Sequence, residues 1–241
     1  MIRRRRRTPP AASSTWRRRI GRWSLKAAIL FVGGSLLWVA LYRFVPPPVT
    51  ATMIANAGGG RGIHKDWMPL RRIDPDMARA VIGSEDWRFC AHSGFDWGAM
   101  NQAFRSNLTG KKRLRGGSTI SQQTAKNAFL WQGGGYLRKG LEAWFTLLIE
   151  AIWGKRRIME VYLNIAETGI GTYGANAGAQ RYFGHDASRL SATEAARIAA
   201  VLPLPKRREA VGASGFTRRY GDRIARRIGT VRRQGYDACL R

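Results

Sequence analysis

The sequence predicts an all-α fold behind a single membrane-spanning helix. Three observations carry this: an uncharged apolar run near the N-terminus, apolar positions at helical spacing from about Asp66 onward, and no convincing set of alternating strands. At 241 residues the chain has room for one globular domain and extensions. Its formal net charge of +27 calls for an anionic partner: nucleic acid, a membrane surface or a phosphorylated substrate.

Residues 1–26 hold ten Arg/Lys and no acid, with "RRRRR" at 3–7. Residues 27–45, "AAILFVGGSLLWVALYRFV", follow, and Ala27 to Tyr42 is a run of sixteen without a charge. A bilayer core takes about 20 apolar residues, with a lower limit near about 17. Arg43 can snorkel from the end of such a helix. Trp23, Trp38 and Tyr42 stand near its ends, as interfacial aromatics do. The following "VPPPV" is a poor context for signal cleavage, so the helix is expected to stay as an anchor. The basic tail then remains cytoplasmic and everything after residue 46 lies outside. That topology explains the polybasic run without nucleic acid and leaves anionic headgroups or a lipid-linked phosphate as partners.

Residues 46–65 read as a stalk: three prolines, then "NAGGGRG". Residues 66–241 read as the domain. A helix is expected over 74–89, opened by Asp74 and Pro75, with Met77, Val81 and Ile82 on one face. Another is expected over 94–108, then a basic loop, 109–117. Further helices are expected over 119–130, 137–154 and 155–167, the last with Ile158, Tyr162 and Ile165 at helical spacing. Residues 169–178 read as a glycine-rich loop. A helix capped by Ser191 or Thr193 covers 191–205. The basic C-terminal stretch is amphipathic through Ile224, Ile228 and Val231, and reads as a membrane-attracted or solubilising surface. Cys90 and Cys239 are too few for a disulfide framework; an oxidising compartment would permit a bridge between them, and two unpaired thiols are the plainer reading. No Cys/His cluster has metal-ligand spacing.

Four stretches could carry chemistry. "SEDWRFCAHSGFD" (84–96) sets Glu85, Asp86, His92 and Asp96 among bulky aromatics. Desolvation there would raise a carboxyl pKa and make a better general base; a solvated acidic pair is the plainer alternative. In "GGSTISQQTAKN" (116–127), Ser118 can cap a helix whose first N–H groups face an anion, with Lys126 two turns on. Gln122, Gln123 and Lys126 exceed what a cap needs. In "RKGLE" (138–142), Arg138 and Glu142 suit a plain i,i+4 ion pair. Glu160 lies in "KRRIMEVYLN", with Tyr162 and Asn164 close by. Two separated carboxylates, Glu85 and Glu160, suit chemistry around a sugar.

Taken in order, "EDWRFCAHSGFD", "GGSTISQQTAKN", "RKGLEAWFTLLIE", "KRRIMEVYLNIAETGIGTYG" and "EAARIAAVLPLP" resemble five motifs of the peptidoglycan glycosyltransferase family. The likeness is to its monofunctional, membrane-anchored proteobacterial type and covers roughly residues 66–205. The resemblance implies a lysozyme-like fold with a helical head and a hydrophobic jaw, roughly 97–115, resting in the membrane. It implies lipid II and the growing lipid-linked glycan as substrates. Glu85 matches the general base, and Glu160 a second glutamate that helps hold substrate or phosphates. Lys126 matches a lysine facing the pyrophosphate, a task Arg138 and Lys139 would share. Ser118, Thr119, Gln122, Gln123 and Asn164 match positions that line or shape the cleft. No cofactor is required; a divalent cation, Mg²⁺ or Mn²⁺, could assist at the pyrophosphate. Implied partners are the membrane and cell-wall synthesis or division proteins, with no nucleic acid, and the implied location is the bacterial inner membrane with the domain periplasmic.

Two departures stand out. Gly134 occupies a place where relatives often carry a phosphate-binding arginine, and Asn176 one where an acid is common. A lytic lysozyme-like enzyme and a non-enzymatic basic scaffold are the competing readings; the polar "GGSTISQQTAK" stretch and the anchor favour a lipid-linked donor over the first, and the second predicts that Glu85→Gln leaves all function intact. The roughly 35 residues after "LPLP" and the lack of S-x-x-K leave no expectation of a transpeptidase domain.

Overall fold

A computed structural model describes residues 13–58, 62–108 and 116–241 of the chain. The arginine run at 3–7 and most of the basic loop 109–117 lie outside the described residues. The first helix, α1 (Ser13–Phe44), contains a 29-residue stretch, Trp16–Phe44, long and apolar enough to cross a membrane. The chain divides at Trp38, and Val39–Arg241 forms the folded body.

The body comprises α2 (Ala51–Ala57), β1 (His64–Lys65), α3 (Pro75–Glu85), α4 (Trp97–Leu108), α5 (Ile120–Phe129), α6 (Gly135–Ile152) and α7 (Gly154–Ile165). After these come β2 (Glu167–Gly169), β3 (Thr172–Tyr173), α8 (Ala175–Phe183), α9 (Ala192–Val201) and α10 (Gly215–Gln234). The class is all-α: the strands of the described residues are two or three residues long. They pair in the order β1-β3-β2, with His64 opposite Thr172 in the parallel pair and β2 antiparallel to β3. Two helix groups share one core. In one, α10 packs on α9 and α3; in the other, α5 packs on α6 and α7. Phe129 stacks on Phe145 with ring centroids 4.6 Å apart, joining α5 to α6.

Local chemistry sets the element ends. The Asp74 side chain accepts from Asp76 N at 2.8 Å, with Pro75 at the first helical position, so α3 starts where expected. It stops at Glu85, four residues short of the expected end, because Asp86 leaves helical geometry (φ −154°, ψ 81°). The turn that follows aims the Asp86 carboxylate inward. α4 begins at Trp97 because Asp96 Oδ1 accepts from Ala99 N at 3.0 Å. Ser191 and Glu194 form a reciprocal capping box on α9.

Four expectations need correction. The stalk is partly folded into the body: Thr50 caps α2, Met53 is fully buried, and Asn56 Nδ2 donates to Tyr173 Oη at 2.8 Å. Prolines and glycines dominated that reading and hid the short capped helix "ATMIANA" between them. The glycine-rich loop contains the last residue of β2, all of β3 and the first turn of α8. The alternating alanines Ala175, Ala177 and Ala179 are all buried there. The C-terminal stretch is more than a surface: its apolar side, Ile224, Ile228 and Val231, is buried against α3 and α9, while Arg219, Arg223 and Arg226 stay exposed. Finally, Cys90 and Cys239 form a disulfide, Cα atoms 5.5 Å apart across a sequence separation of 149. The return of α10 along α3 produces this proximity, which sequence spacing alone does not reveal.

Candidate active site

A cleft with two chambers lies beside the start of α5. One chamber, about 870 Å³, is lined by Glu85, Trp87, Gly116, Ser118, Tyr220 and Arg227 among others. The other, about 630 Å³, is lined by Lys126, Asn127, Gln132, Leu204, Lys206 and Arg207 among others. Gln123 and Pro203 line both and form their junction.

Glu85 is the last residue of α3. Burial pushes its carboxyl pKa up, and the neighbouring Asp86 charge adds to this; the Gln123 hydrogen bond and Arg208 pull the other way. Gln123 Nε2 donates to Glu85 Oε2 at 3.1 Å, while Tyr162 Oη donates to Gln123 Oε1 at 3.3 Å. The buried tyrosine thus fixes which way the amide points. Burial also pushes the Tyr162 phenol well up, so it stays a donor.

Asp86, next in sequence, has a different task. It is buried and accepts from Ile120 N at 2.9 Å and from His92 Nε2 at 3.0 Å. Gly94 N donates to His92 Nδ1 at 3.2 Å, which places the ring proton on Nε2 facing Asp86. Asp86 therefore ties the first turn of α5 to the turn after α3, and Glu85 is left for the cleft.

The α5 cap differs from expectation. Thr119, not Ser118, is the N-cap: its hydroxyl accepts from Gln122 N at 3.1 Å, and Gln122 Oε1 accepts from Thr119 N at 3.0 Å. Gln122 is buried and spent on this capping box, so it does not face substrate. Ser118 is released from capping and lines the Glu85 chamber. Gln123, Lys126 and Asn127 are the α5 residues of the second motif that line the cleft, the first two three apart on one helix face.

Lys126 is half-buried and, among the described residues, its ammonium has no hydrogen-bond or ion-pair partner. Burial lowers its pKa; Glu142 counters this and Arg138 and Lys139 reinforce it. Those three residues of α6 form a cluster: Arg138 Nη1 donates to Glu142 Oε2 at 2.8 Å and Lys139 Nζ pairs with Oε1. They flank the Lys126 end of the cleft without lining either chamber. The i,i+4 ion pair expected from the spacing is present, and Glu142 is 3% exposed.

Glu160 and Asn164 are not brought to this cleft. Glu160 is two residues from Tyr162, roughly 200° around the helix, and so faces away from Gln123. Its carboxylate accepts from Leu70 N at 2.9 Å and pairs with Arg157. Asn164 is fully buried; its amide accepts from Met68 N at 2.8 Å and donates to Met68 O at 2.9 Å. Both side chains stitch residues 68–70 onto α7. Motif position alone could not separate them from the cleft, but the two-residue offset from Tyr162 could have.

A family model described as Transglycosylase matches residues 51–229. The biosynthetic peptidoglycan transglycosylase of Rhodospirillum centenum is 51% identical over 225 residues, covering 92% of this chain and 97% of the relative. The protein of the same name from Caulobacter vibrioides is 48% identical over 224 residues, covering 93% and 97%. That of Bdellovibrio bacteriovorus is 46% identical, covering 91% and 90%. The chain belongs to the transglycosylase family. Its fold is the lysozyme-like one of that family, and it is an enzyme of glycosyl transfer.

The transglycosylase cleft also contains residues that motif reading passed over. Tyr220 Oη donates to Ser84 O at 3.3 Å and Arg227 Nη1 to Gly83 O at 2.8 Å. These are orphan carbonyls of the last turn of α3, just before Glu85. Lys206 and Arg207 stand with Lys126 around the second chamber. The signal for Tyr220 and Arg227 was present: with Ile224, Ile228 and Val231 they share one face of a helix.

Proposed function

We propose that this transglycosylase polymerises lipid II into peptidoglycan glycan strands, with Glu85 as general base and the Lys126 chamber receiving the pyrophosphate. The observation that carries the reading is the junction itself. A carboxylate whose pKa burial has raised stands one glutamine away from a chamber containing two further cations and a lysine with no partner among the described residues. In this reaction the C4 hydroxyl of the acceptor GlcNAc attacks C1 of the donor MurNAc. Glu85 takes the hydroxyl proton as the new C–O bond forms. The bond from C1 to the pyrophosphate oxygen breaks with its electron pair, and the configuration at C1 inverts to give a β-1,4 link. Fixed cations are best placed where that leaving charge grows. Arg138 and Lys139, held by Glu142, reinforce the positive field from α6. Ser118 and Gln123 orient the sugars, while Glu160 and Asn164 keep a structural task.

Among the described residues no three His, Cys, Asp or Glu side chains converge as a metal site. A divalent cation at the pyrophosphate could still be held by phosphate oxygens, water and a single carboxylate, and no step here depends on it.

The same reading places α1 across the inner membrane with the body in the periplasm. The length of α1, the ten basic residues preceding its apolar run and the Cys90–Cys239 disulfide support it. Trp97, Phe104 and Leu108, all exposed on α4, suit a jaw in contact with lipid. Purified full-length protein supplied with lipid II should make polymer, and Glu85→Gln should lower the rate by at least about a hundredfold. Solubilisation of finished sacculi without any polymer would overturn the reading.

A further inference from the structure

The end of α1 marks a depth. If the apolar helix crosses the bilayer, as proposed above, its last turn lies at the headgroup layer. The last carbonyls of a helix lack intrahelical donors. Here Arg157 supplies them: Nη2 donates to Tyr42 O at 2.8 Å and to Val45 O at 3.1 Å, and Nε to Tyr42 O at 3.1 Å. Trp153 Nε1 donates to Val39 O at 2.7 Å. The start of α7 is thus pinned to the level where the apolar helix ends.

At that level a concave pocket of about 250 Å³ is lined by Leu70, Arg71, Arg156, Arg157 and Glu160. Three guanidinium groups face one carboxylate. That carboxylate is committed to Arg157 and to Leu70 N. Arg156 gives one N–H to Leu240 O, and among the described residues Arg71 has no hydrogen-bond or ion-pair partner. Two cationic charges are therefore uncompensated on a concave surface. Trp67 stands beside it with Arg157 at 5.3 Å and Lys65 at 5.5 Å from its ring, an arrangement suited to an interface. The pocket shares no lining residue with either chamber of the cleft.

We infer that the pocket of Arg71, Arg156 and Arg157 holds the phosphate of an anionic glycerophospholipid headgroup, fixing the height of the catalytic body over the membrane. Guanidinium groups match phosphate oxygens in paired hydrogen bonds, and Arg157 is pre-set by its bonds to α1. The inference rests on reading α1 as the anchor.

The test uses the full chain in phosphatidylcholine nanodiscs containing a minor share of phosphatidylglycerol, with retained lipid counted by native mass spectrometry. The wild type should retain phosphatidylglycerol in preference. The double variant Arg71→Gln/Arg156→Gln should weaken that retention by at least about tenfold, having lost charged hydrogen bonds. A charge-matched control, Arg219→Gln/Arg226→Gln on α10, should not. Polymerisation of lipid II in detergent and the melting temperature should be unchanged in the double variant, since neither arginine lines the cleft. Equal retention by the double variant, equal loss in the control, or displacement of the lipid by inorganic phosphate alone would each overturn the headgroup site. Failure of the chain to enter phosphatidylcholine nanodiscs at all would overturn the anchor reading, and this inference with it.

Discussion

Glu85 and Asp86 are adjacent carboxylates with opposite tasks, and their surroundings decide which does what. Asp86 accepts a backbone N–H and an imidazole N–H, so its charge is satisfied. Glu85 is half-buried with one amide donor, and desolvation outweighs that hydrogen bond and raises its pKa. The proposed base must be ionised to act, so the acid limb of kcat/KM should lie above the ordinary glutamate value of 4.5 and vanish from the residual activity of Glu85→Gln. Linkage gives a second readout. A carboxyl that binds its proton more tightly when folded loses stability as pH rises from the unfolded pKa through the folded one. Glu85→Gln should therefore melt higher than wild type near neutral pH, with the gap closing in acid; no gap at either pH would refute the raised pKa. Gly134 shows the same dependence on surroundings. It sits at φ +91°, and a Cβ there would meet Trp131 Nε1 at 2.9 Å and Arg138 Cβ at 3.0 Å. An arginine at 134 is not a neutral graft here, whatever relatives carry. Gly134→Arg should cost about 1–3 kcal/mol in thermal or denaturant unfolding and should not lower KM for lipid II. Asn176 is explained by its neighbours too: it donates to Asp66 at 2.6 Å and accepts from Ala187 N at 2.8 Å, and a carboxylate could not make the first bond.

At the scale of elements, legibility followed local signals. The starts of α3 and α9 were readable because their caps are written in side chains at fixed spacing. The helix at 175–183 was not, since its first turn was read as part of a glycine-rich loop although its buried alanines favour helix. The amphipathic pattern of α10 is legible, with its arginines exposed and Ile224, Ile228 and Val231 on the buried side, but the partners of that side are not. Burial against α3 and α9 is a tertiary fact that charge obscures. It also gives α10 a positioning role, because Tyr220 and Arg227 hold the carbonyls of Ser84 and Gly83. Ile224→Ala should destabilise the fold by about 2–5 kcal/mol. Tyr220→Phe removes a single hydrogen bond and should leave melting nearly unchanged. It should lower kcat several-fold and shift the acid limb of the pH profile, because Tyr220 faces the Glu85 chamber. An unmoved pH profile would reduce the tyrosine to a packing residue.

For the whole molecule, the C-terminus closes back onto the catalytic end. The disulfide joins Cys239 to Cys90, five residues after Glu85. Around it Arg79 pairs with Asp237 at 2.9 Å and the rings of Trp87 and Tyr236 lie 5.2 Å apart. The flanks of Glu85 are thus held by a segment more than 140 residues away in sequence, which is why two cysteines looked unrelated when read along the chain. Cross-linking so distant a pair removes much conformational freedom from the unfolded chain; loss of such a bridge typically costs about 2–5 kcal/mol. Reduction, or Cys90→Ser/Cys239→Ser, should lower the melting temperature of the full chain accordingly. If the bridge acted only on the unfolded state, kcat at a temperature well below melting would be untouched. Because it also anchors the turn after Glu85, kcat should fall there while KM for lipid II changes little: the Lys126 chamber, proposed for the pyrophosphate, lies on the other side of Gln123. Titration of the wild type with a membrane-permeant reductant, followed by melting and by initial rates, separates the two effects. Parallel loss of both supports the clamp on Glu85, and loss of melting temperature alone confines the bridge to stability.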